Sequence, residues 1–184
     1  MVSETRLGAV LSVLPGVPRV VAAGNFATPW QALDVLDKAV AEYRLFMLNA
    51  QAGVPDRDGV LLESPFIGLG MRGRARLRYF PCRLSLVPVM LARILPPDVV
   101  LVQTSRPRDG TISLGTEVNV LPAAIEAARA RGGLVVAQVS RHVPYTYGDA
   151  VLSVDDIDYA IEADIPLPSP PTGPRLRRCR GRGG

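Results

Sequence analysis

Apolar residues fall along this chain in two kinds of run, and the two kinds alternate. Arg19–Ala23, Leu45–Asn49, Val99–Gln103 and Leu134–Val139 are short, nearly uncharged blocks rich in Val and Leu. Such blocks predict strands covered on both faces. Between them lie stripes with helical spacing. Ser3 stands as a cap before a helix running to Leu14, which Pro15-Gly16 ends. Thr28-Pro29 reads as a capping hydroxyl followed by proline at the first helical position, with Leu33, Leu36, Val40 and Tyr43 on one stripe. A third helix is expected from a Ser85 cap through Leu95, stopped by Pro96-Pro97. A fourth runs from Pro122 to Arg131 and ends at Gly132-Gly133. Ile157–Ala163 adds a late strand. The alternation predicts an α/β fold of three layers, a mostly parallel sheet with helices on both faces.

The segment from Pro97 to Gly115 holds the densest chemistry. A buried strand leads into a polar loop, Asp109-Gly110 turns it, and a second short strand ends in Gly115. Gln103 and Ser105 then lie at the carboxyl end of a buried strand, where open α/β sheets present ligands. Their amide and hydroxyl can hold a carboxylate or amide of a ligand, or they can satisfy backbone groups of the turn. Gly24, Asn25, Phe26 and Thr28 occupy the equivalent loop after the first strand. A glycine there admits a ligand close to the backbone, and free N–H groups at the helix start attract anionic oxygen. A plain strand-to-helix turn accounts for the same residues.

Four segments, in order, carry a resemblance to the acetyl-CoA hydrolase/transferase family, which includes 4-hydroxybutyrate CoA-transferases. They are residues 20–29, Phe66-Ile67-Gly68 with residues 79–88, residues 97–115, and Pro144-Tyr145-Thr146-Tyr147-Gly148-Asp149. The resemblance covers residues 5–168 and implies a CoA-transferase-like N-terminal domain. It makes Gly24, Asn25, Phe26, Thr28, Gln103 and Ser105 candidates for the CoA and acyl cleft. It implies acyl-CoA and short carboxylic acids of the acetate or 4-hydroxybutyrate type as substrates. The coenzyme A thioester is then a substrate, and no covalently bound cofactor is expected. The family's attacking glutamate belongs to a C-terminal half with no counterpart here, so no catalytic residue is assigned and the chain alone is expected to be inactive. Glu117 matches no nucleophile motif and is expected to begin the fourth helix. Tyr147 stands where relatives carry histidine. A C-terminal-half polypeptide, or a second copy, is the expected partner, and the chain reads as a natural truncation or the product of a lost reading frame.

Charge narrows the alternatives. The 184 residues contain 21 basic and 17 acidic side chains, a net charge of +4. Five arginines, Arg175, Arg177, Arg178, Arg180 and Arg182, lie in the last ten positions, and without them the chain is slightly acidic. The excess is a tail property, which argues against a nucleic-acid-binding surface. Proline density from Pro166 onward separates a domain, residues 1–168, from a Pro/Arg/Gly-rich tail, residues 169–184, expected to be disordered. Gly68-Leu69-Gly70-Met71-Arg72-Gly73 matches a dinucleotide fingerprint formally, but no amphipathic helix follows it. Arg72, Arg74, Arg76 and Arg78 instead alternate as on an extended edge guarded by charge. His142 is the single histidine, and Asp155, Asp156 and Asp158 lack the spacing of a calcium loop. Cys82 and Cys179 imply no disulfide framework, so a reducing cytoplasm is expected. Residues 84–102, the most apolar region, are broken by Pro88, Arg93, Pro96, Pro97 and Asp98 and are not expected to span a bilayer.

Overall fold

The computed structural model describes residues 1–168. The tail expected at residues 169–184 lies outside the described residues. In chain order the elements are α1 (Glu4–Leu11), β1 (Arg19–Ala22), α2 (Trp30–Ala39), β2 (Tyr43–Phe46), β3 (Val60–Ser64), β4 (Leu77–Tyr79), α3 (Val87–Arg93), β5 (Val99–Thr104), β6 (Thr111–Ser113), α4 (Leu121–Arg129), β7 (Leu134–Val139), β8 (Val151–Ser153) and β9 (Tyr159–Glu162). Seven strands form one sheet in the order β4-β3-β2-β1-β5-β7-β9, with every pairing parallel. Strands β6 and β8 make a separate antiparallel pair.

The period-two alternation of each strand divides the core between the two faces. Val20, Leu45, Leu62, Val99, Leu101 and Val136 pack beneath Leu7 and Leu11 of α1 and Leu33 and Leu36 of α2. On the opposite face Val21, Phe46, Val100, Val102 and Val135 pack beneath Leu91 of α3 and Leu121, Ala124 and Ala128 of α4. The α/β, three-layer architecture expected from the alternation is therefore present. Among the described residues no helix is long and apolar enough to cross a membrane.

Several local expectations need correction. Ser3 does cap α1, accepting from Arg6 N at 3.2 Å, but the helix ends at Leu11, three residues before Leu14. Thr28 does not cap α2. Its hydroxyl donates to Asn25 O at 3.3 Å, and the helix start is satisfied from across the sheet. There Oε1 of the buried Gln138, on β7, accepts from both Gln31 N at 3.0 Å and Ala32 N at 3.1 Å. A tertiary contact thus replaces the local cap. Helix α2 stops at Ala39, so Val40 and Tyr43 leave its stripe and Tyr43 opens β2. Ser85 lies inside a 3₁₀ turn, Leu84–Leu86, and caps nothing. The arginine alternation is extended only at Leu77–Tyr79, which is the edge strand. Arg74 bonds Asp56 at 2.9 Å and Arg76 bonds Asp58 at 3.0 Å, so the charged edge is neutralised from within. Glu117 does not begin a helix. It lies in the loop before α4, which starts at Leu121.

Candidate functional site

From β1 the chain builds outward through β2, β3 and β4, then returns to lay β5 against the other side of β1. Loops leaving the carboxyl ends of β1 and β5 consequently diverge, and the crevice between them is where open α/β sheets bind ligands. Loop 23–29 and Gln103 both stand at that point.

The loop after β1 is shaped by two residues. A Cβ on Gly24 would stand 1.9 Å from the carbonyl oxygen of Leu48, so only glycine lets the loops after β1 and β2 touch backbone to backbone. Asn25 follows with φ of 46°, a left-handed conformation that asparagine tolerates better than most residues. The next residues close a 3₁₀ turn, Asn25–Ala27, with Ala27 N on Gly24 O at 3.1 Å. Asn49 lies in the loop three residues past β2, which ends at Phe46 rather than at the expected Asn49; it adopts the same left-handed conformation with φ of 47°, and its carbonyl accepts from Asn25 N at 3.2 Å.

Polar side chains complete the cluster. Asn25 Nδ2 donates to Glu117 Oε2 at 2.6 Å. Asn49 Nδ2 donates to Asn25 Oδ1, and Asn119 Nδ2 to Glu117 Oε1. Glu117 is only 5 % exposed. Burial pushes its carboxyl above the usual range, while the Asn25 and Asn119 amides pull it down and are outweighed. The carboxylate has amide dipoles about it and no cation within ion-pair distance among the described residues. A carboxyl raised by burial at a sheet crevice is a candidate for a functional role.

Gln103 is buried on the α2 side of the sheet. With its nitrogen turned toward the loop, its amide donates to Thr28 O at 3.1 Å and Ala27 O at 3.3 Å. Gly24, Asn25, Thr28 and Gln103 are therefore held in one place. Phe26, 37 % exposed, is the apolar group that this loop presents outward. Ser105 is not part of the cluster. Its hydroxyl accepts from Ser113 N at 3.0 Å and donates to Arg106 O at 3.0 Å, bracing the β6 hairpin. Asp109 and Gly110, with φ of 49° and 75°, turn that hairpin as expected. Ser113 Oγ in turn donates to Thr146 O at 2.8 Å, and Thr146 Oγ1 donates to Gly115 O at 2.7 Å, so loop 144–149 anchors the segment carrying Glu117.

Comparison with known proteins agrees with this fold. The model of the acetyl-CoA hydrolase/transferase N-terminal domain matches residues 20–168. A 4-hydroxybutyrate coenzyme A transferase of Clostridium kluyveri is 39 % identical over 94 residues, covering 50 % of this chain and 21 % of that protein. RipA from Yersinia pestis has a similar fold, with a TM-score of 0.79 at 18 % identity over 92 % of this chain and 44 % of its own. So has a 4-hydroxybutyrate CoA-transferase from Porphyromonas gingivalis, with a TM-score of 0.68 at 23 % identity over 91 % of this chain and 40 % of its own. The chain spans less than half the length of these relatives. By the match over residues 20–168, it belongs to the acetyl-CoA hydrolase/transferase family and corresponds to its N-terminal domain.

Proposed function

We propose that this chain supplies the N-terminal wall of a CoA-transferase cleft acting on acyl-CoA and short carboxylic acids of the acetate or 4-hydroxybutyrate type. The supporting observation is the convergence of Gly24, Asn25 and Glu117 at the β1/β5 crossover, with Gln103 bracing the loop from beneath. In this reading the attacking glutamate comes from a C-terminal half. Its carboxylate adds to the thioester carbonyl and the C–S bond breaks, leaving an acyl-glutamyl anhydride and CoA thiolate. The thiolate then adds to the glutamyl carbonyl and the acyl carboxylate departs. The resulting glutamyl-CoA thioester is resolved by an acceptor carboxylate through the same steps in reverse. Covalent catalysis of this kind divides one difficult transfer into easier ones.

This chain's part is positioning. The Gly24–Phe26 backbone permits close approach of the acyl group, Phe26 offers it apolar contact, and Asn25 is fixed at both ends by Asn49 and Glu117. The C-terminal half is either covalently continuous with the domain or a separate polypeptide. Exposed apolar side chains at Phe66, Leu84, Leu86 and Val89 favour a covering partner in either case. The test is isotope exchange between acetyl-CoA and acetate by the purified chain, with and without a C-terminal-half polypeptide of the family. Exchange is expected only with both present. Turnover by this chain alone overturns the reading.

A further inference from the structure

Gln103 and Gln138 stand side by side at the carboxyl ends of β5 and β7, partners in the register of the two strands. Both are buried on the face that otherwise packs Leu101 and Val136 beneath Leu33 and Leu36. A buried amide is costly unless it is hydrogen-bonded, and both amides reach for the same short segment of chain. Gln103 donates to Ala27 O at 3.3 Å and to Thr28 O at 3.1 Å. Gln138 accepts from Gln31 N at 3.0 Å and from Ala32 N at 3.1 Å. Between the two brackets lie Pro29, which has no N–H and no capping side chain, and Trp30. The constraint passes on to Asn25, because Thr28 Oγ1 donates to Asn25 O at 3.3 Å and Ala27 N to Gly24 O at 3.1 Å. A left-handed residue other than glycine persists only where its surroundings over-determine it. Glu117 is held from the same strand end. Ser140, directly after β7, donates its N–H to Thr104 O at 3.0 Å and accepts from His142 N on Oγ at 3.2 Å. The loop it begins carries Thr146, whose bonds to Ser113 and Gly115 anchor the segment leading into Glu117.

We infer that Gln138 is a positioning residue of the crevice, which, with Gln103, fixes Asn25 against Glu117 by tying the start of α2 to the sheet. Its hold on Asn25 stands on geometry alone, and its part in catalysis rests on the transferase reading above. A serine or threonine cap would close the helix upon itself and leave helix and loop free to shift together. An amide projecting from β7 instead makes the strand the reference for both partners of the Asn25–Glu117 contact. Misplacement by about 1 Å at such a distance from the chemistry can cost on the order of a hundredfold in rate.

The test follows hydrogen exchange at single amides, by NMR on the full chain, in Gln138→Met, which keeps the length of the side chain and removes its acceptor. Exchange of Gln31 and Ala32 is expected to quicken on the order of tenfold, the value of one lost cap. That of Asn25 and Ala27 is expected to quicken by a similar factor. A cap that served α2 alone would speed only Gln31, Ala32 and the slow amides of the core. Asn25 and Ala27 would then keep their wild-type rates, and that result overturns the inference. Gln138→Glu, which restores an acceptor oxygen at a helix N-terminus, is expected to return all of these amides close to wild-type rates. Ser3→Ala, which removes the cap of α1, is expected to leave Asn25 and Ala27 unchanged. Should Gln138→Met not fold, Gln103→Met, which frees Ala27 O and Thr28 O, carries the same expectation at Asn25 and Ala27 and is overturned in the same way. When the chain is assembled with a C-terminal half, Gln138→Met is expected to lower kcat for exchange between acetyl-CoA and acetate on the order of tenfold. KM for acetate should stay unchanged, and Gln138→Glu should recover the rate. Wild-type kcat in Gln138→Met would refute the positioning role alone. Faster amide exchange at Asn25 without transfer by any assembly would refute the transferase reading and leave the hold of Gln138 on Asn25 standing.

Discussion

Two carboxylates are buried in this domain, and they are stabilised in opposite ways. Glu63, on β3, is fully buried and receives Arg19 Nε at 2.8 Å, with Arg78 within 3.9 Å. Glu117, at the crevice, is almost as deeply buried but receives only the amides of Asn25 and Asn119. A full opposite charge fixes the first as part of the scaffold. Dipoles alone leave burial the larger influence on the second and its carboxyl raised, since they recover less of the lost hydration than a guanidinium does. The fold thus neutralises one buried acid with arginine on the sheet and leaves the other, in the loop before α4, to amides.

Breaking the scaffold pair should have the largest effect. Glu63→Ala leaves Arg19 buried and uncompensated, and is expected to cost about 3–5 kcal/mol in chemical denaturation. Replacing both partners together by apolar residues of similar volume should recover most of that loss. If Glu63→Ala unfolds no more readily than wild type, Arg19 reaches water and the contrast with Glu117 dissolves. Gly24→Ala comes next. Its Cβ would collide with the Leu48 carbonyl, a backbone atom that cannot swing aside, so a loss of about 1–3 kcal/mol is expected. The damage should be local, moving amide resonances of Asn25 and Asn49 more than those of β3.

How much of this was readable beforehand follows from the range of the interactions. The blocks Val99–Val102 and Leu134–Ala137 mark buried strands because burial on both faces needs continuous apolar residues. The crossover at β1/β5 follows from no local pattern, since strand order is set by long-range pairing. The same holds for the cap of α2, where Thr28 has the right chemistry and Gln138, 110 positions on, takes the role. Gly24, Asn25 and Gln103 were legible as candidates because polar residues after apolar blocks are conspicuous. Asn49 and Glu117 were missed, although Glu117 follows the very segment whose turn and strands were read correctly. Its meaning comes from contact with Asn25, 92 positions away, and no spacing rule reports that. The weak β3 signal, Val60–Ser64, failed for the complementary reason, because Glu63 interrupts the apolar block, while Leu77–Tyr79 was legible only as part of a charged extended edge.

The smallest expected effect is the sharpest test of the comparison. Glu117→Gln keeps the shape of the side chain and removes its titration. In the wild type, burial raises the folded-state value above the ordinary 4.5. The folded state then binds a proton more tightly than the unfolded chain does. That proton's contribution to stability is complete below 4.5 and is lost as pH climbs through the raised folded-state value. Wild-type stability minus that of Glu117→Gln should therefore fall with rising pH across that window and level off beyond it, as read from urea midpoints at a series of pH values. For any carboxylate whose charged form is favoured by folding, linkage gives the opposite slope. A difference curve that rises with pH would mean that a cation reaches Glu117 in solution, and the crevice would then resemble the scaffold it is contrasted with.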